Sequence, residues 1–199
     1  MSAAAMPAHG KLRALSRPVL ARRLRLAGDR ENLLDWQATP TGLLDQLCAM
    51  DLVAEAVRLL AYALPDREAV WWGCMCVTHT VAQSGAGQPG NAEREALGAA
   101  KAWVWHPGEA AARQAAWAAA AAGYHLPGAW TALAAYWSQQ LGGEPGRAGR
   151  GIDTATTLAA GRGGQEAAAV LRRFIASGRD VAEGGPGRLP PLTVNAAPA

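Results

Sequence analysis

Ala69-Val70-Trp71-Trp72-Gly73-Cys74-Met75-Cys76-Val77 is the least polar stretch of the chain. Pro65-Asp66 precedes it and supplies a helix start. A helix that is apolar on all sides is expected at the centre of a fold. Gly73 makes the same point from another side. Glycine costs about 1 kcal/mol relative to alanine inside a helix, so its presence predicts that a neighbouring helix crosses closely there.

The sequence on either side supplies helices to surround it. Towards the N-terminus, Asp51 can cap a helix that carries Leu52, Ala56, Leu59, Leu60 and Ala63 at helical spacing. A shorter helix carries Leu43, Leu44 and Leu47. Towards the C-terminus, Ser84 to Gly90 reads as a loop. Asn91 then caps a helix that runs through Leu97, Ala100, Trp103 and Val104 to about Trp105. His106-Pro107-Gly108 breaks it. Glu109 to Ala122 is the next helix, with Gly123 at its C-terminal cap.

Leu126-Pro127-Gly128 leads into a helix on which Trp130, Leu133, Trp137 and Leu141 form an apolar stripe, expected to be buried. Residues 147–152 read as a linker. Asp153 caps a seventh helix, weakened at Gly161, Gly163 and Gly164 and supported by Ala167, Val170, Leu171 and Phe174. The expected fold is therefore all-α, with about six to seven antiparallel helices over residues 41–180. Short connections fit a compact bundle and a short solenoid equally.

Composition agrees. Alanine, the best helix former, makes up roughly a quarter of the 199 residues, well above its usual share. There is one phenylalanine, and β-branched residues are scarce, so a sheet has little material. Three cysteines give no disulfide framework and point to a reducing cytoplasm. The longest alanine-rich run, Ala115 to Ala122, is far short of the about 20 residues a membrane span needs. Arg22-Arg23-Leu24-Arg25-Leu26 lacks the apolar stretch of an export signal behind it.

The charge is uneven. Residues 1–30 hold seven Lys/Arg against one Asp, and the remainder twelve against fifteen Asp/Glu. Lys11, Arg13, Arg17, Arg22, Arg23 and Arg25 thus form a basic N-terminal arm over 1–40. Its apolar residues Leu12, Leu15, Val19, Leu20 and Leu26 allow a helix, limited by Pro18. Residues 181–199 are rich in Pro, Gly and Ala and are expected to be a disordered tail.

Little of the sequence carries chemistry. Cys74-x-Cys76-x-x-His79 is the one metal-like cluster. Residues two apart on a helix are turned about 200° from each other, so core cysteines are the simpler reading, and no metal or cofactor is expected. Ser84 has no strand before it, so it is no nucleophile elbow. The glycine-rich stretches lack the Lys-Ser/Thr of a phosphate loop. No enzymatic activity is expected.

Eight tryptophans are the richest feature. Trp71-Trp72, Trp103/Trp105 and Tyr136-Trp137 each hold two aromatics that diverge around a helix. Most of the tryptophans are expected in the core; the functional reading puts one member of each pair on a partner surface, where tryptophan is enriched. The basic arm offers a second reading, a nucleic-acid-binding regulator. It has no aromatics for base stacking.

Several segments together resemble a bacterial domain family of unknown biochemical activity. They are Leu64-Pro65-x-Arg67-Glu68-Ala69-Val70-Trp71-Trp72-x-Cys74-x-Cys76, Ala102-Trp103-Val104-x-x-Pro107-x-Glu109-x-Ala111-x-Arg113, the alanine-rich run ending in Ala121-Ala122-Gly123-Tyr124, and Pro127-x-Ala129-Trp130-x-Ala132-Leu133-Ala134-x-Tyr136-Trp137-Ser138. The resemblance implies an all-helical fold. It also implies an accessory, adaptor or chaperone-like role beside type VI secretion components, with a secretion-apparatus protein or an effector as partner.

Overall fold

In the computed structural model, which describes residues 10–26, 32, 35, 38–83, 90–140 and 146–189, the chain is all-helical. Nine α-helices lie among the described residues. They are α1 (Arg17–Leu24), α2 (Pro40–Ala49), α3 (Val53–Ala63), α4 (Asp66–Gln83), α5 (Asn91–Trp105), α6 (Glu109–Ala122), α7 (Pro127–Gln139), α8 (Arg147–Gly161) and α9 (Ala167–Ala182).

Local chemistry sets most boundaries. Thr39 accepts a hydrogen bond from the Gly42 N–H, with Pro40 at the first position of α2. Pro127 takes the same first position in α7, whose N-cap Leu126 makes no side-chain cap. Gly123, at φ 86°, ends α6.

Three expected caps are not caps. Asn91 is the first residue of α5 itself, whose N-cap is Gly90. Asp51 has a left-handed backbone (φ 56°) just before α3 begins, and its carboxylate pairs with Arg172 at 2.8 Å. Asp153 lies inside α8, because that helix already begins after Gly146 and takes in the stretch read as a linker. The expected seventh helix is two: α8 and α9 are separated by a 3-10 turn at Gly164–Glu166, where Gly164 has φ 56°.

The helices form a closed bundle rather than a solenoid. In a solenoid each unit touches only its neighbours. Here α8 packs on α3, α4, α7 and α9, and α3 packs on α9. The 66–83 helix is central as expected, touching α3, α5, α7, α8 and α9. Gly73 meets α7 and α8: a Cβ there would lie 2.8 Å from Ile152 Cδ1 and 3.4 Å from Thr131 Cγ2.

Small side chains carry much of the packing. α6 buries only Ala112, Ala115, Ala119 and Ala122. α7 buries Gly128, Ala129, Thr131, Ala132, Ala134 and Ala135, while Trp130, Leu133 and Trp137 are only partly covered. The expected indole stripe of α7 is thus not its buried face; Leu141 lies outside the described residues. The reason is the crossing with α8. A Cβ on Gly151 would stand 2.9 Å from Ala134 Cβ and 3.0 Å from the Trp130 carbonyl oxygen. Backbones that close leave no room for an indole between them.

The large side chains fill the remaining space. Trp72 and Phe174 are fully buried, and the Trp72 indole donates to the Phe174 carbonyl at 3.0 Å, which ties α4 to α9. The chain beyond α9 also folds back. Ser177 Oγ donates to the Gly187 carbonyl, and the Gly187 N–H donates to Asp180 at 2.7 Å. Residues 183–187, expected within a disordered tail, therefore lie against α9.

Candidate docking surface

The bundle splits two of the three diverging aromatic pairs into a buried and a more open member. Trp72 and Trp103 are in the core, at 0% and 4% exposure, so neither reaches a partner. Trp103 donates from its indole to Gln139 Oε1 at 3.3 Å. Trp71 is half-buried and donates to the Pro186 carbonyl at 2.9 Å. Its ring meets that of Trp105 edge-on, with centroids 5.8 Å apart. Trp105 itself is 62% exposed. Tyr136 and Trp137 are both half-buried. Tyr136 lines a cleft of about 660 Å³ with Glu109, Arg113, Gln139 and Gln140, and Trp137 packs on Trp130 at 6.3 Å.

Among the described residues, the most exposed indole is one that sequence reasoning passed over. Trp117 is 68% exposed, and Tyr124, just past the end of α6, is 51% exposed. Trp117 stands beside a groove of about 470 Å³ between α5 and α6, walled by Gly98, Ala99, Ala102, Ala118 and Ala121 and by the polar Glu95 and Gln114. Helical spacing explains the layout. On α5, Glu95, Gly98, Ala102 and Trp105 share one face; on α6, Ala110, Gln114, Trp117 and Ala121 do. All eight are exposed. The α5–α6 hairpin therefore turns outward a face of small residues and the Trp117 indole, with Glu95 and Gln114 on it and the exposed Trp105 at the end of α5. An exposed apolar face marks an interaction site.

The signal for Trp117 was present but faint. The α6 residues at 112, 115, 119 and 122 make an inward stripe, which leaves 117 opposite. Because all four are alanines, and alanines also occupy the outside, hydropathy does not distinguish the faces.

The basic arm, where described, lies on the bundle. Lys11 and Arg13 pair with Glu68 and Asp66 at 3.1 and 3.3 Å. Their backbone N–H groups donate to the Ala182 and Ala63 carbonyls. Leu20 and Leu24 are buried, and Arg58 donates to the Leu24 carbonyl at 2.6 Å. Arg17, Arg22 and Arg25 are on the exposed side. The Arg23 guanidinium lies 5.0 Å over the Tyr62 ring. Together with Arg13, Arg22 and Asp66 they enclose a cavity of about 360 Å³. Burial, then the Asp153 charge, pushes the Tyr62 phenol up; Arg23 and Arg150 pull it back.

Cys74 and Cys76 are fully buried, and burial pushes the Cys74 thiol up to about 12. Among the described residues, no group of three or more His, Cys, Asp or Glu is placed to hold a metal, and no helix is long and apolar enough to cross a membrane.

A family model described as a family of unknown function (DUF6931) matches residues 43–182. That range runs from α2 to the last residue of α9 and leaves out the basic arm. Neither a curated protein nor a solved structure matches the chain.

Proposed function

The chain belongs to this family of unknown function, and we propose that it is a non-enzymatic protein–protein interaction module, docking through the outer face of the α5–α6 hairpin. The single observation that carries this reading is the exposed indoles of the hairpin, Trp105 at the end of α5 and Trp117 on α6, the latter beside a groove of alanine and glycine edged by Glu95 and Gln114. An indole left in water forgoes much of the stabilisation that burial would bring, about 1.5–3 kcal/mol for a large side chain. Both would recover it against a partner.

The finer assignment is an accessory or adaptor role at a bacterial type VI secretion assembly, in the cytoplasm, with an apparatus component or effector as partner. It rests on the resemblance of the sequence segments quoted above. The alternative, a nucleic-acid-binding regulator, has less support, because Lys11 and Arg13 already face carboxylates of α4.

Site-specific photocrosslinking in the native host tests both levels. A photoreactive residue at Trp117 is expected to capture one defined protein, whereas the same probe at exposed Arg172 on α9 captures none. Identical adducts at both positions remove the docking reading. A specific partner from outside the secretion apparatus removes only the finer assignment.

A further inference from the structure

We infer that the cavity enclosed by the N-terminal arm, α3 and the start of α8 binds a small organic phosphate, a dianion carried on an apolar or aromatic body. Among the described residues, none of its lining belongs to α5 or α6, so it is a site separate from the docking face. Its volume, about 360 Å³, is in the range of small-molecule sites.

The lining is cationic. Arg13, Arg22 and Arg23 stand against one carboxylate, Asp66. Arg13 and Asp66 pair with each other at 3.3 Å, so the charge in excess is that of two guanidiniums. The Arg150 charge reaches the same place, since it acts on the Tyr62 phenol in the cavity wall.

The amino end of α8, a helix of 15 residues, adds to this. The first N–H groups of a helix have no partner within it, and they carry the positive end of its dipole. Acidic side chains are stabilising there. The first turn of α8 holds none; Arg147 opens the helix and Arg150 follows three residues later. Its N-cap is Gly146, which has no side chain to accept from these groups. The arm brings a further cation to the same point, because a Cβ on Gly146 would lie 3.3 Å from an Arg23 guanidinium nitrogen. Positive charge is thus gathered at the positive end of a dipole, which is unfavourable unless an anion sits among the charges. A phosphate there accepts from helix amides and guanidiniums together.

The groups are held in place. The Tyr62 ring packs on the first turn of α8, where a Cβ on Gly149 would overlap it, and carries the Arg23 guanidinium 5.0 Å from its centroid. A guanidinium laid on an aromatic face presents a fixed fork that matches phosphate geometry. Burial raises the Tyr62 pKa, so the phenol keeps its proton and is a donor. Leu15, Val19 and Ala61 give the cavity an apolar wall, which favours an ester over inorganic phosphate. Two guanidiniums in excess favour a dianion over a carboxylate.

Isothermal titration calorimetry of the full chain at low salt, with phenyl phosphate, inorganic phosphate and benzoate, tests this. The expected result is saturable binding of phenyl phosphate, weaker binding of inorganic phosphate and the weakest binding of benzoate. Arg22→Gln is expected to weaken phenyl phosphate about tenfold, the effect of losing one hydrogen bond to a charged group. Arg23→Lys, which keeps the charge and loses the fork, is expected to weaken it severalfold. Arg172→Gln, the same change of charge on α9, is expected to leave it unaltered. Arg22 and Arg172 are exposed, so both glutamine variants should keep the parent thermal midpoint, measured alongside. No saturable binding of phenyl phosphate at millimolar concentration overturns the inference. Equal losses in Arg22→Gln and Arg172→Gln also overturn it, because they mark diffuse attraction rather than a site. Benzoate bound as tightly as phenyl phosphate overturns the assignment of a phosphate.

Discussion

One nitrogen of the Arg162 guanidinium donates to both carboxylate oxygens of Glu93, at 2.8 Å each. Glu93 is in the first turn of α5 and is almost fully buried. It also accepts the Gly128 N–H at 3.1 Å. Three parts of the chain, the starts of α5 and α7 and the end of α8, thus meet on one carboxylate. Removing one partner of a buried pair costs more than the pair contributes, because the other charge stays buried. Glu93→Ala is expected to lower stability by about 3 kcal/mol, at the low end of the range for buried pairs because Arg162 keeps some solvent contact. Urea unfolding of variant and parent measures it; a loss below about 1 kcal/mol, as for exposed pairs, contradicts the assignment.

Glycine positions give predictions of opposite sign for the same substitution. Gly151→Ala drives a methyl against the backbone of α7 and is expected to destabilise by about 1–3 kcal/mol. Gly98→Ala meets open space and is expected to stabilise by up to about 1 kcal/mol through helix propensity. Thermal midpoints moving in the same direction would refute the close α7–α8 crossing.

The arm should contribute through its leucines rather than its charges. Leu24 is fully buried, and Leu24→Ala is expected to cost about 2–5 kcal/mol. The Lys11–Glu68 and Arg13–Asp66 pairs are exposed. Replacing Lys11 and Arg13 together with alanine is expected to cost no more than about 1–2 kcal/mol at low salt. Chemical denaturation of the two variants separates a packed arm from an electrostatically held one.

Acid sensitivity should have two components of opposite sign. Burial, then the nearby Arg173 charge, lowers the His79 pKa from its ordinary 6.5. The folded state therefore binds fewer protons there than the unfolded one. The corresponding stability is complete above about 6.5 and is lost as pH falls through the depressed folded value. His79→Gln should remove that slope. Burial raises the Asp153 pKa, against the pull of Arg58 and Arg25. Its contribution is complete below the ordinary carboxylate range and is lost as pH rises through the raised folded value, and Asp153→Asn should flatten that segment. Denaturation midpoints from pH 4 to 8 test both signs.

Thiol chemistry should follow burial. Cys74 and Cys76 are fully buried, whereas Cys48 is partly open, with Arg179 3.6 Å from its sulfur. Under native conditions an alkylating reagent is expected to modify Cys48 first, and the other two only on unfolding. Rapid native labelling of Cys74 would contradict the buried α4.

The helices themselves were largely legible, because their boundaries depend on neighbours in sequence. Pro40, Pro127, Gly123 and the His106-Pro107-Gly108 break act within a turn of where they stand. The errors came where the signal is also local but ambiguous. Asp51 and Asp153 are ordinary capping residues by type, yet each found a long-range arginine instead. The candidate surface was half legible. That Trp71-Trp72 and Trp103/Trp105 must diverge follows from helix geometry, and one member of each is indeed buried. Which α6 face is outward could not be read, and Trp117 was missed.

The sequence by itself determined that this chain is helical, roughly where its helices start and stop, and that the 66–83 helix is central. These are matters of propensity, capping and mean polarity along short windows. The tertiary structure alone decided which faces meet, and therefore which indoles remain in water. On a helix of alanines every face has nearly the same transfer free energy, so hydropathy cannot choose between them. The choice falls to shape: Gly151 against Ala134, and the small-residue face of α7 against α8, bring backbones too close for tryptophan, and the indoles lie where the helices leave room.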